Sequence, residues 1–237
     1  MKVLAIESTG MVASIAIVDN DQLIGEYTMN HKKTHSQTLL PMLDELGKMI
    51  ELDLNTIDAI AVSKGPGSFT GLRIGSATAK GLGLALDKPI IPVPTVDAMA
   101  YNLWGTDKVV CPIMDARRNQ TYTGLYRFEN GELQVIEEQC AVDIHEIIEK
   151  INAYGQPVIF LGDGVPVFEE IIAECIKVPY EYAPATCNRQ RGSSVAVLGQ
   201  KLYAKGIFES AEEHKPDYLR QSQAERELQG KGRDFTV

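Results

Sequence analysis

No stretch of this sequence reaches the roughly twenty consecutive apolar residues that a membrane-spanning helix needs, so no bilayer span is expected. Basic charge is also short. Lys and Arg number 23 against 32 Asp and Glu, a formal net charge of −9, and no segment gathers the basic stripe with which a protein neutralises nucleic-acid phosphates. A role in an RNA pathway would therefore run through a partner. The four cysteines, Cys111, Cys140, Cys175 and Cys187, form no CxxC pair, which argues against structural zinc and for reduced thiols. Cys111 lies between Val110 and Pro112 with no neighbouring base to activate it, the setting of a buried, inert thiol. Met1 to Ile6 runs directly into a first strand without a charged leader and cleavage site, so a cytoplasmic protein is expected. What remains, 44% hydrophobic and 23% charged residues in 237, is an ordinary soluble composition able to bury one large or two modest domains.

The segment Lys64 to Gly75, KGPGSFTGLRIG, carries the most information. It follows the apolar run Ile57 to Val62 and opens the small-residue segment Ser76 to Leu86, giving strand, glycine-rich turn and helix. Gly65 and Gly67 allow positive φ and close backbone approach, and the free amides of the helix start suit an anion. The spacing is not that of a Walker loop, because Arg73 follows where a lysine and hydroxyl pair would be needed. Phosphate contact and plain turn geometry both remain open. Gly71, Gly75, Ala79 and Gly83 recur every four residues on one stripe of a helix expected from Phe69 to Leu86. Each interior glycine costs about 1 kcal/mol against alanine, so the stripe needs a compensating close contact. That contact is either the helix's own sheet or a helix of another molecule.

Along the chain, Lys2 to Glu7, Val12 to Val18 and Gln22 to Met29 read as three antiparallel strands. Thr34 is a plausible helix N-cap, and Leu39, Leu40, Leu43, Leu46, Met49 and Ile50 keep helical spacing, with Pro41 either delaying or bending the helix. Asp58 to Val62 is a strand, Phe69 to Leu86 a helix, Pro89 to Val93 a strand and Val96 to Trp104 a helix. From Val109 the pattern restarts: two strands around a polar turn, Gln134 to Cys140 as a third, helix 145–151, strand 157–161 ending in Gly-Asp-Gly, and helices 165–175 and 193–205. Two halves with the same opening imply a duplicated α/β protein of mixed sheets flanked by helices, with a boundary near Gly105 to Lys108. The expected division is a first lobe over residues 1–105, a second over 106–220 whose last helix returns to the first, and a polar tail over 221–237. His31 and His35 are spaced like zinc ligands on a helix, but they straddle Lys32 and Lys33 at a strand-to-helix junction and no third ligand is near.

The glycine segment, together with MDARRNQTY from Met114 to Tyr122 and DYLR from Asp217 to Arg220, resembles the bacterial TsaB (YeaZ) family of tRNA threonylcarbamoyladenosine biosynthesis. The resemblance runs from Ile6, Glu7 and Ser8 to Leu219. It implies the two-lobed actin-like fold shared with Hsp70 and the acetate and sugar kinases, the ribonuclease H-like or ASKHA class. It also implies a non-catalytic subunit that binds and activates the catalytic paralogue TsaD, which modifies adenosine 37 of tRNAs reading ANN codons. The P-loop ATPase TsaE would join them, tRNA would be met only indirectly, and the chain alone would form a homodimer. The paralogue's HxxxH metal motif falls here on Thr95 and Met99, which cannot replace two imidazoles. ATP or ADP and a divalent metal are thus expected in the partner subunits, with no cofactor or metal in this chain.

The same resemblance implies docking on the first-lobe helices, through Leu39, Leu43 and Leu46 on one and Gly71, Arg73, Gly75, Ala79 and Gly83 on the other. Glu7, Ser8, Thr9, Gly65 and Gly67 become the remnant of a nucleotide site. Asp115, Arg117 and Tyr122, with Arg118 beside them, form a family motif whose role is structural or interfacial rather than chemical. The rival readings are an ATP-dependent kinase or transferase built on the remnant, and a metallopeptidase, a label inherited from the paralogue.

Overall fold

The computed structural model describes residues 1–31 and 34–219. Lys32, Lys33, Arg220 and the expected tail over 221–237 lie outside the described residues.

The first half contributes β1 (Lys2–Glu7), β2 (Val12–Asp19), β3 (Gln22–Asn30), α1 (His35–Met49), β4 (Ala59–Gly65), α2 (Phe69–Leu86), β5 (Ile90–Pro94) and α3 (Thr95–Tyr101). The second contributes β6 (Val109–Asp115), β7 (Gln120–Glu129), β8 (Glu132–Asp143), α4 (Ile144–Tyr154), β9 (Val158–Leu161), α5 (Val165–Cys175), β10 (Tyr180–Tyr182) and α6 (Gly192–Ala204). The sheets have orders β3-β2-β1-β4-β5 and β8-β7-β6-β9-β10, so the second repeats the first strand for strand. In each, the first three strands pair antiparallel and the fourth and fifth join in parallel. This is the two-lobed α/β architecture of mixed sheets flanked by helices that the duplicated pattern implies.

Both faces of the central strands are buried, which explains why β1 and β4 read as unbroken apolar runs rather than alternating ones. Leu4, Ile6, Ile60 and Val62 pack outward under α1 and α2, while Val3, Ala5, Ala59 and Ala61 pack against α6. Under the second sheet, Cys111, Ile113, Val158 and Phe160 meet Ile147, Ile148 and Ile151 of α4 and Phe168 and Ile172 of α5. Val96, Met99 and Ala100 of α3 pack with Val110, Met114, Tyr126 and Leu161 of the second lobe in a core shared by both halves. Tyr126 reaches from β7 to donate its hydroxyl proton to Asp97 of α3 at 2.7 Å. Burial raises the pKa of Asp97, and the Tyr126 bond partly offsets that penalty.

Local details differ from the expectations in instructive ways. Thr34 holds the N-cap position of α1 but its side chain makes no capping bond, and Pro41 sits inside the helix on its exposed side. The start of α2 is better built, for Ser68 caps it by accepting from the Gly71 amide at 3.4 Å, and Asp87 ends it in the left-handed region at φ 54°. Helix α3 stops at Tyr101, three residues short of the expected Trp104, and β10 has no apolar signature from which to foresee it. No described helix is long and apolar enough to cross a membrane.

Candidate functional site

Three segments singled out in the sequence converge on one cleft of about 630 Å³ between the lobes. Thr9 and Gly10 reach it from the turn after β1, Gly67 to Thr70 from the glycine turn, and Asp115, Ala116, Arg117 and Tyr122 from the β6–β7 turn. Asp217, Tyr218 and Leu219 close it from the C-terminal side.

Glu7, Ser8 and Gly65 do not face this space; they are sealed behind its wall. Glu7 is only 1% exposed. Its carboxylate accepts from the Thr9 amide at 2.6 Å, from the Thr9 hydroxyl at 2.5 Å and from the Ser63 hydroxyl. Burial raises its pKa, and the bonds from Ser63 and Thr9 and the charge of His35 only partly compensate. Ser8 donates to the Gly71 carbonyl at 2.9 Å. The glycine turn is likewise filled by the chain itself. A Cβ on Gly67 would overlap the Thr9 backbone and one on Gly65, at φ 124°, the Asp217 carbonyl, while the Ser68 amide donates to Thr9 at 2.6 Å. Of the five residues expected as a nucleotide remnant, Thr9 and Gly67 border the cleft while Glu7, Ser8 and Gly65 lie behind its wall, and both glycines pack closely against the chain itself.

This arrangement makes a pH-dependent prediction. Folding raises the Glu7 pKa above its ordinary 4.5, so the folded state holds that proton more tightly than the unfolded chain. Stability is full below about 4.5 and is lost as pH climbs through the folded value. Glu7→Gln keeps an acceptor for Thr9, and the Ser63 hydroxyl can turn to accept from the new amide. The variant should be more stable than the parent at pH 8, with the gap closing toward pH 4. Urea unfolding across that range checks it, and a gap independent of pH would contradict it.

At the β6–β7 turn, Asp115 accepts from the backbone amide of Arg117 at 2.7 Å. Arg117, Arg118 and Asn119 all adopt positive φ, 64°, 57° and 58°, so the carboxylate fixes a tight turn rather than pairing with the Arg117 guanidinium. Asp163, in the Gly-Asp-Gly after β9, also lines the cleft. Burial raises its pKa, and its Oδ1 makes no hydrogen bond with the described residues. The tripeptide carries no site signal of its own, although its place after the second lobe's fourth strand mirrors the glycine turn after β4. Also unforeseen is a stack in which Arg73 lies 4.2 Å over the Phe69 ring and Tyr218 packs on Phe69 at 4.4 Å. The described cleft lining contains no histidine or cysteine.

Thr95 and Met99 have structural uses, the first accepting from the Gly65 amide at 3.2 Å and the second packing in the shared core. His35 opens α1 with Nε2 2.8 Å from the Gly10 carbonyl, while His31 is exposed. Among the described residues no group of three or more His, Cys, Asp or Glu is placed to hold a metal ion.

Most of the expected docking residues face inward. Leu39 and Leu46 point into the first lobe's own core, and Leu43, also mostly buried, touches both that core and the groove on the outer side. The small-residue stripe is covered too: a Cβ on Gly71 or Gly75 would overlap Ser8, one on Gly83 would crowd Ala211 and Ile90, and Ala79 is fully buried. The stripe therefore seats α2 on its own lobe, and of the proposed set only Arg73 is open to solvent. The free surface is the opposite one, with Thr70, Ala77, Gly81 and Leu84 exposed on α2 and Leu40, Asp44 and Lys48 on α1. Between the helices runs a groove of about 530 Å³ lined by Leu40, Leu43, Leu52, Leu54 and Leu82 with Asp44, Lys48 and Glu51 at its rim.

Comparison with known proteins agrees with this architecture. Residues 22–228 match the family model described as TsaD, tRNA N6-adenosine threonylcarbamoyltransferase. The tRNA threonylcarbamoyladenosine biosynthesis protein TsaB of Bacillus subtilis is 34% identical over 225 residues, covering 95% of this chain and 96% of the relative. YeaZ from Pseudomonas aeruginosa superposes with a TM-score of 0.79 at 24% identity, over 92% of this chain and 99% of that one. A polyphosphate/ATP-glucomannokinase from Arthrobacter shares the fold at a TM-score of 0.50 and 12% identity, over 86% of this chain and 99% of that one. A kinase-type fold with its glycine turn packed against its own chain, matched over nearly its full length by a biosynthesis protein, places the chain in the TsaB (YeaZ) family.

Proposed function

We propose that this protein is a non-catalytic subunit in the formation of threonylcarbamoyladenosine at position 37 of tRNA, binding the catalytic paralogue TsaD through the outer face of α1 and α2. The observation that carries the reading is the contrast between two surfaces. Glu7, the acid of the expected nucleotide remnant, is sealed under three donated hydrogen bonds, whereas α1 and α2 border an apolar groove in which Leu40 is 54% exposed, and Leu84 is 55% exposed further along α2. Two parallel exposed helices with an apolar seam are suited to receive a second helix pair as a four-helix packing. The partner contributes nucleotide, metal and catalytic groups, and this subunit holds the partner's active site in its working shape. TsaE joins the pair, and in the partner's absence the same face closes on a second copy of this chain.

Mixing the chain with the catalytic paralogue tests this. Co-elution and restored tRNA modification are the expected results. Undiminished modification when the chain is omitted would refute the scaffold role, and ATP hydrolysis by the chain alone would refute its lack of catalysis.

A further inference from the structure

The segment from Glu209 to Tyr218 leaves the second half of the chain and runs the length of α2, from its C-terminal end back to its N-terminus. At the far end Glu209 and Ile90 exchange amide hydrogen bonds of 2.9 Å, which ties the segment to β5. Ala211 then packs into the first-lobe core against Gly83, and the buried His214 holds Nδ1 2.6 Å from Glu209 Oε1. Midway, the Lys80 ammonium donates to the carbonyls of Glu212 and His214 at 2.9 and 3.0 Å. At the near end the Asp217 amide donates to Lys64 at 2.6 Å, and Tyr218 stacks on Phe69 while accepting from Arg73 at 3.4 Å. Asp217 and Tyr218 are also walls of the interlobe cleft.

One strap thus borders the cleft at one end and grips α2 at three levels up to the other. We infer that Glu209–Tyr218 is a latch that couples the interlobe cleft to α2: a group entering the cleft against Tyr218 lifts its ring from Phe69 and loosens the strap as far as Glu209. Besides the buried Ala211 and His214, the grip is made of a few backbone bonds, one ammonium and one ring contact, and a segment held by so few contacts opens as a unit below the free energy of global unfolding. Its consequence for partner binding rests on the docking reading of α1 and α2, whereas the coupling itself does not.

Amide hydrogen exchange on the full chain tests the coupling without any partner. Tyr218→Ala is expected to speed exchange about tenfold at the distant Glu209 and Ile90 amides, with the β1–β2 amides of the core unchanged. Tyr218→Phe keeps the stack and should exchange like the parent. Lys80→Met should free the strap in both directions, raising exchange at Asp217 as well as at Glu209. Acceleration confined to Phe69, Arg73 and Asp217 in the Tyr218→Ala variant would overturn the proposal, because the strap would then yield piecemeal. Equal acceleration of strap and core amides would also overturn it, showing only global destabilisation.

Discussion

Alanine at Gly71 is expected to cost the first lobe about 3 kcal/mol or more, and glutamate at Gly75 to leave little folded protein. Propensity argues the other way, since alanine should gain about 1 kcal/mol over glycine within a helix. The outcome turns on what the added carbon meets. At Gly71 it would overlap the backbone carbonyl of Ser8, which is fixed by the turn after β1 and cannot rotate aside. Overpacking of that kind costs about 1–3 kcal/mol and more where backbone must move. Gly75 meets the Ser8 hydroxyl, and a buried glutamate adds a charge with no partner. Gly81 is the control: nothing lies within 4 Å of its would-be Cβ, so Gly81→Ala should stabilise by about 0.5–1 kcal/mol. Urea unfolding distinguishes the three, and a Gly71→Ala variant as stable as the parent would show that α2 can slide off β1.

The second large effect concerns partner binding. Leu40→Glu and Ala77→Glu place charge on the open faces of α1 and α2 without touching the core, so both should unfold like the parent. Binding to the catalytic paralogue should nonetheless weaken by about 2 kcal/mol or more, roughly thirtyfold, as is usual when an anchor at the centre of an apolar interface becomes charged. Calorimetric titration reads the loss. If both variants bind as the parent does, the docking surface lies elsewhere, and the strap-bordered end of α2 becomes the next region to vary.

These two predictions mark where the sequence was legible and where it was not. Strand and helix order could be read because the apolar runs at 2–7, 12–18 and 58–62 and the spacing of Leu39, Leu43 and Leu46 are local signals. The duplication was visible because the polar-turn hairpin recurs after Val109. The direction in which α2 faces was not visible. A stripe of Gly71, Gly75, Ala79 and Gly83 states that something comes close, but Ser8 and Ala211, which do so, lie 63 residues before Gly71 and 128 after Gly83. Nothing in local periodicity names such neighbours. The same holds for Glu7, which reads as a polar site residue until Ser63 and Thr9 are seen to enclose it. Asp163 carries no site signal in the sequence because one aspartate between glycines is the ordinary chemistry of a turn.

The placement of α3 and α6 gives the molecule a property that its twofold pattern conceals. Each follows the fifth strand of its own half, yet α3 packs into the core beneath the second sheet and α6 covers the inner face of the first. The halves have exchanged one layer apiece, as two hands exchange a clasp. Residues 1–105 expressed alone would present the inner face of β1 and β4 bare, and the remainder would lack the helix that fills the hollow around Tyr126. A cut at the repeat boundary near Gly105 therefore leaves each five-stranded sheet whole but strips it of a covering helix, α6 from the first and α3 from the second.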